Sequence, residues 1–161
     1  MLLSAFTLFH VLISLIGIVA GLVVLAALLQ GQRTDRWTNV YFATTVATSV
    51  TGFFFPVAHL LPSHVVGLIS LVILGVAMYA RYRRDLTGTW RKVYVVGVML
   101  ALYLNVFVAV IQSFLKIPAL KALAPTQSEP PFKFTQLAVL LLFVGLGVIA
   151  LIRFRPERKV A

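Results

Sequence analysis

The three histidines are the residues of this chain whose type and position could do chemistry: His10, His59 and His64. Imidazole nitrogens bind haem iron and zinc, and they also serve as hydrogen-bonding groups in binding sites. Two inward histidines on neighbouring helices would suit the axial positions of a b-type haem, and His10 with His59 is the pair that could supply them. A divalent metal could use His10, His59 and His64 together with Glu129. No recognised ligand spacing links these residues, so haem b or a metal is an alternative and no resident cofactor is expected.

Hydroxyl, amide and carboxylate side chains accompany the histidines. The candidate ligand or interface residues are His10, Ser14, His59, His64, Asn105, Gln112, Glu129 and Gln136. When the chain is laid out by depth, all of them fall in one half of the molecule. An amide in hydrocarbon is costly unless it is paired, so Asn105 should face other helices. We expect either a polar pocket or interface in that half, or hydrogen bonds that only fix helix packing, worth about 0.6 kcal/mol each.

Catalysis and transport have weaker support. The acids all lie outside the apolar stretches: Asp35, Asp85, Glu129 and Glu157. Ion transport usually needs acids within the membrane. Ser14 shares a helix face with His10, but no acid completes a nucleophile–base–orienter set. The chain has no cysteine, which excludes disulfides, thiol catalysis and cysteine-ligated zinc. A small membrane enzyme or transporter is therefore an alternative, and the sequence leans against an enzyme.

Five apolar stretches must position these side chains, namely residues 4–29, 38–60, 64–80, 93–115 and 134–152. About 20 apolar residues cross a bilayer as a helix, because backbone polar groups must be paired internally. The chain is 61% hydrophobic and 11% charged over 161 residues, which a soluble domain of this size could not bury. The sequence predicts one all-α integral membrane domain over residues 1–161. We expect a bundle of five transmembrane helices with an outer proline-containing connector at residues 116–133.

The basic residues alternate from heavy to light along the connectors. Eleven Lys and Arg residues fall on one side of the five-span arrangement and three on the other. The positive-inside rule then predicts an outside N-terminus and a cytoplasmic C-terminus, as an odd number of spans requires. The net charge of +10 is explained by this topology and by anionic headgroups. A nucleic-acid partner would need a basic groove with interleaved aromatics, and we expect none.

Small and hydroxyl residues mark two helix faces. In the first stretch Gly17 and Gly21 form a GxxxG pattern, and the same face continues back to Ser14 and His10. The second stretch repeats this spacing in Thr45, Ser49, Gly52, Pro56 and His59. Such faces let helices approach closely, either within the bundle or against a second copy. Pro56 should kink the second helix near its outer end.

The sequence therefore supports an accessory or interaction subunit, or a binding module, with a polar site in the outer half of the membrane. The bilayer is the expected partner, together with other membrane proteins or a second copy of the chain. The first apolar run is too long for a signal peptide and lacks a basic n-region, which indicates a retained span. We expect a multi-pass protein of a bacterial-type inner membrane.

Overall fold

The fold is known from a computed structural model, which describes residues 2–55 and 62–155. Within these residues the chain is all-helical, without a strand, as the sequence predicts. The helices described are α1 (Leu2–Leu29), α2 (Asp35–Gly52), α3 (Pro62–Tyr82), α4 (Thr89–Lys116), α5 (Pro118–Leu123) and α6 (Pro130–Arg153). Helices long and apolar enough to cross a membrane are found at Ser4–Leu29, His64–Tyr82, Thr89–Lys116 and Pro130–Arg153.

The second helix differs most from its predicted bounds of 38–60. It begins at Asp35 and ends at Gly52, and a turn follows to Phe55. This helix is rich in threonine and is not among those apolar enough to span a membrane by composition. A proline lacks the backbone N–H and disfavours helical backbone in the residue before it, which explains a helix end ahead of Pro56. Pro56 and His59 themselves lie outside the described residues.

The outer connector is also more helical than its prolines suggest. Residues 124–129 form a turn, and the residues after them belong to the first turn of α6. Pro130 and Pro131 occupy that first turn, where a helix has no use for the backbone N–H that proline lacks. Helix α6 therefore begins four residues earlier than the predicted start at Phe134.

Successive long helices run antiparallel. Along α1 and α2, Gly21 lies against Tyr41 while His10 bonds to Thr51. Paired contacts near both ends of α2 and α3, and along α3 with α4 and α4 with α6, show the same, so that α1, α2, α3, α4 and α6 alternate in direction. One end of the bundle, here named the basic end, holds the end of α1, the start of α2, the α3–α4 turn and the end of α6. The opposite end, named the histidine end, holds the start of α1, the end of α2, the start of α3 and residues 116–130.

Helix α4 lies at the centre, in contact with α1, α3, α5 and α6. Its buried face packs around Tyr41, whose hydroxyl donates to the carbonyl oxygen of Val98 at 3.0 Å. The outer surface is strongly apolar, with exposed side chains such as Phe9 and Leu141. Lipid tails are as apolar as these side chains, so close packing and hydrogen bonds must hold the helices together.

Candidate binding site

The GxxxG face of α1 is used within the bundle. A Cβ atom at Gly17 would lie 3.2 Å from the Thr44 hydroxyl, 3.3 Å from the Thr45 hydroxyl and 3.4 Å from Nδ2 of Asn105. The missing side chain thus lets polar groups of α2 and α4 meet against the backbone of α1. This contact aligns the histidine-end half of α1 with the threonine face of α2.

His10 is held at this face by a hydrogen bond to a threonine of α2. Its Nδ1 lies 2.8 Å from the Thr51 hydroxyl oxygen. The single proton of that hydroxyl is directed at the carbonyl oxygen of Ala47, at 2.7 Å. With that proton on Ala47, Thr51 accepts from His10 and Nδ1 carries the imidazole proton; in the alternative tautomer the hydroxyl turns to donate to Nδ1. Among the described residues, no hydrogen bond to Nε2 is found.

Aromatic and hydroxyl groups form the walls around this imidazole. The ring of Phe55 stands edge-on to it with centroids 5.1 Å apart, and Phe6 backs Phe55 at 5.0 Å. Ser14 donates to the carbonyl oxygen of His10 at 2.8 Å and lies 3.4 Å from the Thr48 hydroxyl. The half-buried histidine therefore sits in a niche with one apolar side and one polar side.

Further unpaired polar atoms lie in the interior beyond the niche. Among the described residues, Thr45 Oγ1, Asn105 Nδ2 and Gln136 Oε1 are buried without a hydrogen-bond partner. Gln136 does use its other amide atom, since Nε2 donates to the carbonyl oxygen of Phe107 at 3.2 Å. Buried polar atoms are normally paired, so water or a ligand group that forms a hydrogen bond at these positions would gain the most binding free energy. Thr45 and Asn105 both border Gly17, a turn and a half or more deeper than His10.

The other candidates have different neighbours among the described residues. His64 is buried at the start of α3 beside Phe53, with ring centroids 5.5 Å apart, and Gln112 is exposed on α4. Glu129 lies in the turn before α6. His59 falls outside the described residues. The structure thus brings His10 and Ser14 together with Thr48 and Thr51, while His64, Gln112 and Glu129 lie elsewhere.

The carboxylate of Glu129 accepts hydrogen bonds from residues of its own turn. It accepts from the Thr126 hydroxyl at 2.8 Å, from the Thr126 N–H at 3.1 Å and from the Ser128 N–H at 3.0 Å. Desolvation raises the pKa of Glu129, but these hydrogen bonds together outweigh it, and the net pKa lies below the usual 4.5. The part of the chain that the structure describes contains no group of three acid or histidine side chains that could hold a metal ion.

Thr51 contacts His10 and was not among the site residues selected from the sequence. It belongs to the hydroxyl-rich second helix, but not to the face of Thr45, Ser49 and Gly52 that the spacing selected. Only the register between the two helices, fixed by the Gly17 contact, shows which hydroxyl meets the imidazole.

In comparisons with known proteins, no family model, no curated protein and no solved structure matches this chain.

Proposed function

We propose that the chain is a five-span membrane protein of a bacterial-type inner membrane, with its N-terminus outside and its C-terminus in the cytoplasm. The alternation of helix directions and the eleven-to-three division of basic residues support this topology. Helix α2 becomes the second span. At about 1.5 Å per residue its 18 residues extend about 27 Å, close to the roughly 30 Å of hydrocarbon.

The polarity of α2 does not prevent this helix from crossing the membrane. Thr38, Thr44 and Thr51 donate to backbone carbonyl oxygens four residues earlier, at 2.6, 2.7 and 2.7 Å. A threonine paired in this way carries little cost inside a membrane helix. Neighbours α1 and α3 also cover part of its surface, and Tyr41, Phe42 and Thr45 are buried there.

Within this topology we propose a binding module or accessory subunit whose site is the niche at His10 in the outer half of the membrane. The observation that carries the proposal is the hydrogen bond between Nδ1 of the half-buried His10 imidazole and Thr51; with the proton on Nδ1, Nε2 is the nitrogen available to a ligand. Such a nitrogen accepts a hydrogen bond, so the ligand presents a donor, namely a hydroxyl, amide or ammonium group of a small molecule or of a partner helix. Phe55 would pack against the apolar part of that ligand.

A second candidate function uses the same nitrogen as a ligand to haem b or to a metal. Metal-bound histidines commonly donate their other ring N–H to a hydrogen-bond acceptor that fixes the ring, and Thr51 is such an acceptor here. His59, the other proposed ligand, lies outside the described residues. For an enzyme or transporter no comparable observation exists, since the hydroxyl of Ser14 is directed at a backbone carbonyl rather than at the imidazole.

The decisive experiment is an absorption spectrum, with and without dithionite, of the full chain purified in mild detergent, with metal analysis of the same sample. It is repeated on His10→Gln and on Phe9→Leu, a matched control at the adjacent lipid-facing position. A binding module gives colourless, metal-free protein from which a co-purifying molecule or subunit is lost in His10→Gln and retained in Phe9→Leu. A reducible Soret band lost in His10→Gln identifies the haem function instead. If neither variant changes what co-purifies, His10 serves packing alone and the binding proposal is wrong.

A further inference from the structure

A separate polar pocket of about 240 Å³ opens at the basic end, between the start of α2 and the end of α3. It lies at the opposite end of the bundle from His10. Its walls are formed by Arg33, Asp35, Asn39, Arg81, Tyr82 and Asp85. The pocket therefore combines two guanidinium groups with two carboxylates at the level where the apolar helices end.

Arg81 is a fixed part of this wall. Its side chain is only 3% exposed and forms an ion pair with Asp35. One guanidinium nitrogen also donates to the Tyr94 hydroxyl at 3.4 Å, and the guanidinium carbon lies 5.7 Å from the ring centre of Tyr82. Tyr82 in turn donates to Oδ1 of Asn39 at 2.5 Å. These contacts set the positive wall before any ligand arrives, which reduces the cost of binding.

Asp85 is held at the pocket by an unusual turn. Asp85 and Leu86 have φ angles of 44° and 56°, in the left-handed region that non-glycine residues seldom adopt. Leu86 is 4% exposed, and its N–H donates to the carbonyl oxygen of Ala80 at 3.1 Å. The buried Leu86 thus fixes the turn and keeps the preceding carboxylate at the pocket rim.

The charge balance of the pocket selects the kind of ligand. A simple anion would be attracted by Arg33 and Arg81 but repelled by the two carboxylates. A simple cation would be attracted by the carboxylates but repelled by the two arginines. A group that carries both charges a few bonds apart satisfies both walls. Arginine binds phosphate oxygens with paired N–H donors, and carboxylates accept hydrogen bonds from a primary ammonium group. Arg33 and Asp35 pair with each other at 3.7 Å and remain accessible to such a group, with side chains 29% and 69% exposed.

We propose that this pocket binds the phosphoethanolamine headgroup of a membrane lipid, with its phosphate at Arg33, beside the buried positive charge of Arg81, and its ammonium at Asp35 and Asp85. The inference rests on the membrane placement proposed above, but not on the His10 site. Headgroups lie at the depth where α2 begins and α3 ends, and the lipid tails would extend along the apolar helix surfaces. A phosphocholine headgroup has the same charges, but its quaternary ammonium has no N–H to donate.

The test is native mass spectrometry of the full chain in mild detergent, titrated with short-chain phosphatidylethanolamine, phosphatidylcholine and phosphatidylglycerol, and with free O-phosphoethanolamine. We expect phosphatidylethanolamine to bind about tenfold more tightly than the other three ligands, which corresponds to about 1.4 kcal/mol. Asp85→Asn and Arg33→Gln should each remove most of that preference. Arg36→Gln, the same charge change at an exposed position outside the pocket, should leave it unchanged.

The competing outcomes are distinct. If phosphatidylglycerol binds best and Asp85→Asn strengthens it, the pocket takes an anionic headgroup and the proposal is wrong. Equal binding of all three lipids, or equal loss in Arg36→Gln, indicates general surface charge and also overturns it. If free O-phosphoethanolamine binds as tightly as the lipid, the headgroup chemistry is right but the assignment to a lipid is wrong. The membrane placement itself is tested separately by the labelling experiment below.

Discussion

Gly21 of α1 packs so closely against Leu102 of α4 that a Cβ atom at position 21 would lie 2.5 Å from Cδ1 of Leu102. The same atom would lie 2.9 Å from the ring of Tyr41 on α2. Both neighbours are fully buried, so neither can move away freely. The point where three helices meet is therefore closed to any side chain.

Replacing this glycine should destabilise the bundle. We expect Gly21→Ala to lower the free energy of unfolding by about 1–3 kcal/mol, the usual cost of overpacking. Gly75→Ala is the control, because nothing lies within 4 Å of a Cβ atom there. At that position alanine should stabilise helix α3 by up to about 1 kcal/mol. Denaturant titration in detergent measures both, and equal effects would show that the contact at Gly21 is not formed.

The protonated nitrogen of His10 is a direct prediction of the Thr51 hydrogen bond. With only three histidines, selective ¹⁵N-histidine labelling gives few signals, and His10→Gln assigns the relevant pair. We expect neutral His10 to carry its proton on Nδ1. Thr51→Val removes the acceptor and should release this preference, while Thr51→Ser should keep it. A spectrum showing the proton on Nε2 in the unmodified protein would remove the basis for a free Nε2.

The topology can be tested with single cysteines, since the chain contains none. Gln32→Cys and Thr87→Cys place exposed thiols on the α1–α2 and α3–α4 connectors, and Ser128→Cys places one before α6. A membrane-impermeant maleimide applied to intact cells or spheroplasts should label only Ser128→Cys. Permeabilised membranes should allow all three to react. Shared protection of Gln32→Cys and Thr87→Cys requires α2 to cross as α3 does, whereas labelling of just one of them would contradict five spans.

Asp35 and Asp85 should differ sharply in their effect on stability. Asp35→Asn removes the counter-charge of Arg81, whose side chain is 3% exposed, and should cost about 1.5–3 kcal/mol, the usual contribution of a hydrogen bond to a charged group. Asp85 is exposed and forms no ion pair in the described part of the chain, so Asp85→Asn should stay within about 0.5 kcal/mol. Thermal unfolding in detergent distinguishes the two. A large loss for Asp85→Asn would make it unsuitable for the lipid titration, and Arg33→Gln would then carry that test.

The turn at Glu129 should loosen in acid. Because the pKa of the folded carboxyl is lowered, the stabilisation from its hydrogen bonds is fully present above the usual pKa of about 4.5. It is lost as the pH falls through the lower folded pKa. Hydrogen exchange at the Thr126 and Ser128 amides, corrected for intrinsic rates, should therefore accelerate over that interval. Glu129→Gln keeps an acceptor oxygen but no titrating group, so exchange in this variant should lose its pH dependence, and an acid-induced acceleration there would contradict the assignment.

The apolar stretches predicted most of the helical architecture, because length and hydropathy determine which segments form helices in a membrane. The spacing of Gly17 and Gly21 also predicted a close-packed face. The partners of that face could not be predicted, since Asn105 reaches it from a helix more than eighty residues away in sequence. Nor did Arg81 stand out from the other basic anchors, because its burial depends on Asp35 and Tyr94 from two other helices. Long-range register is the information that single helices do not contain.

The central position of α4 has a consequence for the order of synthesis. Thr45 is 2% exposed in the finished bundle, and Gly21 is covered only when Leu102 packs over it. At about 5–20 residues per second, roughly 3–12 seconds separate the translation of Thr45 from that of Asn105. During this interval the helices already made present an incomplete groove to lipid, to the insertion machinery or to another nascent chain. Helix α4 ends this interval when it fills the groove left between the helices made before it.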